Sequence, residues 1–96
     1  MTITFAKPHD MGDGEAETDV LVDGRIEATI YKHSVPNPDY GRMAEWYGKY
    51  VAGSYDVTFF VRRLDDRSFD VDDYPTGARG ALAAAKKYAR TTLEAP

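Results

Sequence analysis

Cysteine is absent from the 96 residues. That absence excludes a disulfide scaffold, a thiol nucleophile, a thiolate zinc site and an iron–sulfur cluster. Stability then rests on packing, and a reducing cytosol is the natural setting. Long apolar runs are also missing: none approaches the ~18 residues of a transmembrane helix. The opening Met1-Thr2-Ile3-Thr4-Phe5-Ala6-Lys7 has no charged region followed by an apolar stretch. No signal peptide and no membrane partner are therefore expected, and a cytoplasmic location is. Histidine is limited to His9 and His33, and serine to Ser34, Ser54 and Ser68, none of them in a nucleophile-elbow pattern. No glycine loop suits a phosphate, and Gly77-Ala78-Arg79-Gly80 reads as the opening of a helix. No nucleophile, base and orienting group can be assembled, so the expectation is a non-enzymatic protein with no cofactor and no metal.

What is present is ordinary globular composition, 43% hydrophobic and 29% charged. The length suits one domain, 1–96, that buries about 60–65% of its unfolded surface and so has a thin core. The formal net charge is −4, but it is distributed in blocks. Residues 1–30 carry −5, 31–50 carry +1, 51–75 carry −3 and 76–96 carry +3. A single-sign surface steers oppositely charged partners and repels like ones. Such a surface disfavours nucleic acid and favours a basic partner, although solvation alone also accounts for mild acidity.

Ile3 to Ala6 suits a short first strand, and Pro8 to Thr18, with its glycines and acids, reads as a loop. Asp23-Gly24 between two apolar runs suits a type I′ hairpin turn. Regular alternation from that turn places Leu21, Ile26, Ala28 and Ile30 on the core face, and Val20, Val22, Glu27, Thr29 and Tyr31 on the other. His33 to Gly53 reads as a long break, with a short helical turn from about Pro38 to Tyr47. Tyr55 to Arg62 alternates as a strand, Leu64 to Ser68 turns, and Phe69 to Asp72 alternates again, giving a second hairpin. Thr76 suits an N-cap, and an amphipathic stripe follows it through Ala78, Ala81, Leu82, Ala85, Tyr88, Ala89 and Leu93. The predicted fold is α+β: an antiparallel sheet of about four strands, with the N-terminal segment as a candidate fifth, and one C-terminal helix on one face. The predicted core is Leu21, Ile26, Ile30, Val57, Phe59, Val61, Phe69, Val71, Leu82, Ala85, Ala89 and Leu93.

Two groups stand out as candidate partner-binding residues. Asp70 and Asp72, two apart on a predicted strand, point the same way, with Asp73 beyond them and Asp65-Asp66 at the facing turn. Such carboxylates suit a hard cation poorly without the EF-hand spacing and its glycine. A solvated sheet edge that resists strand-to-strand association is the plain reading, and a surface for a basic partner the functional one. Tyr40, Trp46, Tyr47 and Tyr50 fall in a loop interrupted by glycine and proline. They either fold back to close a small core or stand as anchors at a protein interface.

The stretches Arg25 to Tyr31, Tyr55 to Arg62, Phe69 to Tyr74 and Ala78 to Ala89 resemble, in order alone, the sheet-plus-helix DNA-binding module of plant AP2 domains and integrase arm domains. That family reads the major groove with basic and aromatic residues of its outward sheet face. Here the outward set is Arg25, Glu27, Thr29, Tyr31, Asp56, Thr58, Phe60, Arg62, Ser68, Asp70 and Asp72, two bases against four acids, the wrong sign for phosphate. The length, the two aspartate groups, the acidic N-terminal loop and the aromatics resemble instead the small acidic anti-defence proteins of phages and mobile elements, anti-CRISPR proteins among them. That resemblance implies a chain in the host bacterial cytosol that blocks a basic, nucleic-acid-handling host protein. The residues it would use are Asp65, Asp66, Asp70, Asp72, Asp73, Trp46, Tyr47 and Tyr50. Two alternatives stand beside it: a nucleic-acid-binding accessory domain using Arg79, Lys86 and Arg90, and a self-associating phage structural subunit, for which a homodimer is one form.

Overall fold

The computed structural model describes residues 1–36 and 55–95. Their elements are β1 (Ile3–Phe5), β2 (His9–Gly12), β3 (Glu15–Val22), β4 (Arg25–Pro36), β5 (Tyr55–Arg62), β6 (Arg67–Asp70), a 3-10 turn (Val71–Asp73) and α1 (Ala78–Glu94). One antiparallel sheet runs in the order β1-β3-β4-β5-β6, with β2 also paired to β3. The α+β arrangement read from the sequence is therefore present, with a longer run of strand than expected. The helical turn expected from Pro38 to Tyr47, and Tyr40, Trp46, Tyr47 and Tyr50 with it, lie outside the described residues.

The sheet begins with a divided edge. β1 pairs with Val20–Val22 and β2 with Glu15–Glu17, end to end along the same side of β3. Pro8, which has no N–H to give to a ladder, sits in the gap between them. The segment from Pro8 to Thr18 is thus not a loop. Asp13 and Gly14 have φ of 55° and 78°, the same positive pair as Asp23 and Gly24 at 50° and 83°. Both dipeptides make the tight turns that join antiparallel neighbours with matching twist.

The hairpin of β3 and β4 corrects the predicted core. Leu21 faces Ile26 and Val22 faces Arg25, as regular pairing from the turn requires, but Val20 faces Ala28. One step along β3 therefore matches two along β4, and Glu27 is the extra residue of a β-bulge. An inserted residue reverses the alternation beyond it. Leu21 and Ile26 consequently share the face away from the helix, and Ile26 is 48% exposed. Val20 and Val22, expected outside, are buried with Ala28 and Ile30. β4 also continues through His33 to Pro36, paired with the start of β5, where a break was expected.

β5 occupies the predicted span, with Phe59 and Val61 buried and Val57 packed against them. The strand after it ends at Asp70, not Asp72. The Asp70 carboxylate accepts the Asp72 N–H at 3.0 Å and opens the 3-10 turn. A short acidic side chain competing for its own backbone ends the ladder there. Asp70 and Asp72 are therefore not alternate residues on one strand face.

The helix packs through its smallest side chains. Ala81, Ala85 and Ala89 are fully buried against Val20, Ile30, Phe59, Val61 and Phe69, while Leu82, Tyr88 and Leu93 pack around them. An alanine stripe lets the helix axis approach the sheet closely and keeps lost side-chain entropy small. The N-cap is Gly77, not Thr76, and no side chain caps the helix. Gly77 has φ 65° and ψ −131°, a region that only glycine enters without strain, and this sets the entry angle of the chain. The far end of the helix is held to the edge strand. Lys86 and Arg90 both lie over the Phe5 ring, at 5.4 Å and 5.2 Å from its centroid.

Candidate functional site on the open sheet face

On β3, Ala16, Thr18, Val20 and Val22 turn toward the helix, so Glu15, Glu17 and Asp19 stand on the opposite face. The bulge at Glu27 decides what they meet. Without it they would share a face with Ala28 and Ile30; with it they share one with Thr29, Tyr31 and His33.

Tyr31 is the centre of the resulting group. Its hydroxyl donates a hydrogen bond to Oε2 of Glu15. His33 Nδ1 lies 3.4 Å from Oε1 of the same carboxylate and 3.4 Å from the Tyr31 oxygen. The two rings stack at 5.7 Å, and Phe60 tilts against His33 at 6.3 Å. Arg62 lies over the Tyr31 ring at 4.1 Å and reaches Glu17 at 3.9 Å. Thr29 donates to Asp19 at 3.2 Å. The Tyr31 hydroxyl is held above the ordinary tyrosine value near 10. The bond to Glu15 is the main cause, partial burial and the Glu15 charge add to it, and Arg62 opposes it.

Tyr31, His33, Phe60, Arg62 and Asp66 line a shallow groove of about 460 Å³. It offers aromatic faces, one guanidinium and carboxylates on two sides. A neutral phenol, an imidazole and a carboxylate in contact can share protons, and the groove walls can hold an extended side chain.

The sequence-predicted aspartates fall into two places. Asp65 and Asp66 occupy the β5–β6 turn with φ of 64° and 48°, both exposed, and Asp66 borders the groove. Asp70, Asp72 and Asp73 are exposed at the other end of β6. The length of that strand, about 10 Å, keeps the two groups apart. None of the five takes part in an ion pair among the described residues. Among those residues no three His, Cys, Asp or Glu side chains are grouped to hold a metal ion. Trp46, Tyr47 and Tyr50 lie outside the described residues.

Sequence reasoning set Tyr31, Phe60 and Arg62 outward but missed Glu15, Glu17, Asp19 and His33 as their company. A signal existed. The Asp23-Gly24 turn puts Leu21 and Ile26 on one face, while the apolar pattern Ala16, Thr18, Val20, Val22 demands the other. Only an extra residue reconciles the two.

Charge separates by layer. The open face carries Glu15, Glu17, Asp19, Asp66 and Asp70 around Arg62. The helix carries Arg79, Lys86, Lys87 and Arg90 against Glu94. No helix among the described residues is long and apolar enough to cross a membrane. Compared with known proteins, the chain matches no protein family, no curated sequence and no solved structure.

Proposed function

We propose that this chain is a non-enzymatic binding protein that docks its open, acidic sheet face on a basic, nucleic-acid-handling partner and blocks it. The observation that carries this reading is the separation of charge by layer, which gives the sheet face away from α1 carboxylates around an aromatic centre. Tyr31 and Phe60 supply rigid contact area at the middle of the patch, and Asp66 and Asp70 extend it to the β6 edge. Charge of one sign speeds encounter with a basic surface and repels nucleic acid. The resemblance to phage anti-defence proteins gives the class of partner, a host protein that binds DNA or RNA.

The test is capture of partners by tagged protein from a nuclease-treated bacterial lysate, at low and at high salt, by wild type and two charge-reversed variants. The variants are Glu17→Lys with Asp19→Lys, and Asp70→Lys with Asp72→Lys. The reading expects a nucleic-acid-binding protein captured at low salt, lost at high salt and lost in at least one variant. Capture that neither variant diminishes would remove it. A second reading, direct nucleic-acid binding, draws support from the four cations of α1. Retention on heparin at low salt that Arg79→Glu with Lys87→Glu abolishes would favour it.

A further inference from the structure

A second concavity lies on the helix side of the sheet, under the first turn of α1. It encloses about 260 Å³, with apolar walls from Ile30, Phe59 and Leu82 and with Thr18, Lys32 and Arg79 as its polar members. Thr18 is the buried polar residue of the described core, 4% exposed, and its hydroxyl forms no hydrogen bond there. That hydroxyl is not sealed inside the core but sits where the residue lines the cavity, so its donor is available to a ligand.

The electrostatics of the cavity have one sign. No carboxylate lines it, and neither Lys32 nor Arg79 is in an ion pair among the described residues. This holds in a chain whose net charge is −4. The helix end adds to it: the first turn of α1 contains no acid, and Gly77 gives it no side-chain cap. The first N–H groups of α1 therefore have no side-chain cap among the described residues. Lys32 also borders the depression that holds Asp10, Asp13 and Glu15, so Arg79 is the cation farther from competing carboxylates.

From these features we infer that the cavity binds a small organic carboxylate with an apolar body, of the medium-chain alkyl type. The alkyl chain lies among Ile30, Phe59 and Leu82, Arg79 and Lys32 take the carboxylate, and Thr18 donates to an oxygen of the ligand. The volume of about 260 Å³ falls just below the roughly 300–1,000 Å³ of ordinary small-molecule sites, which suits a medium-chain carboxylate and excludes a long-chain one. The cavity is on the other face of the sheet from the Tyr31 groove, and this inference does not depend on the docking reading.

The experiment titrates isotope-labelled full-length protein with sodium octanoate and, separately, with 1-octanol, and follows backbone amide shifts. Octanoate is expected to move Thr18, Ile30, Phe59 and Leu82 together. Arg79→Gln is expected to weaken octanoate about tenfold or more, the size of a lost charge-assisted bond, and to leave octanol nearly unchanged. Ala78→Trp, at an exposed wall position, is expected to abolish both while the spectrum stays dispersed. Octanoate affinity unchanged in Arg79→Gln, or shifts that miss Thr18 and Leu82, would overturn the assignment.

Discussion

The Tyr31 hydroxyl donates to Glu15 across the sheet, sixteen residues away in sequence. The bond holds the phenol in its neutral form, because ionisation would set a phenolate against a carboxylate. The folded value therefore exceeds the unfolded one. Stability from this group is complete below about pH 10 and falls as pH rises through the folded value. Ultraviolet titration should find a tyrosine ionising above the ordinary value, and Tyr31→Phe or Glu15→Gln should remove that late step. Identical titration curves for wild type and both variants would contradict the assignment.

The bulge at Glu27 divides two isoleucines of one strand. Ile30 is fully buried and Ile26 is 48% exposed. Ile30→Ala should cost about 2–5 kcal/mol, the range for a buried aliphatic truncation. Ile26→Ala should cost less than about 1 kcal/mol. Urea unfolding of the two variants measures both, and equal costs would mean that the alternation runs on unbroken.

Gly77 and Thr76 exchange the roles that the sequence suggests for them. Gly77→Ala forces a side chain into a glycine-only conformation and should cost about 1–3 kcal/mol. Thr76→Ala removes no capping bond and should stay within about 0.5 kcal/mol. A thermal melt of each variant checks the order, and a larger loss in Thr76→Ala would restore threonine as the cap.

How far the sequence could be read follows from the range of each interaction. The Asp23-Gly24 turn, β5 and the alanine helix are set by neighbours a few residues apart, and these were legible. Asp13-Gly14 was not, because the acids around it resemble a loop until they are seen as the outer half of a strand. The end of β6 turned on one Asp70 side chain choosing its own backbone over the ladder. The Tyr31 group depended on the bulge, which is visible only when two strands are compared.

Phe5 ties the edge strand to the helix through two cations, Lys86 and Arg90. Phe5→Leu keeps an apolar side chain but loses the ring face, and should cost about 1–2 kcal/mol if each contact contributes its usual share. Lys86→Met with Arg90→Met should make that replacement nearly neutral. A double-mutant cycle reads the coupling, and independent costs would show that the ring acts only through burial.

The opposed charge of the two layers makes the described part of the molecule an electric dipole directed from sheet to helix. A dipole near a charged surface experiences a torque before contact, so the chain arrives already turned. On a positively charged resin it should adsorb sheet-first and on a negatively charged one helix-first, despite a net charge of −4.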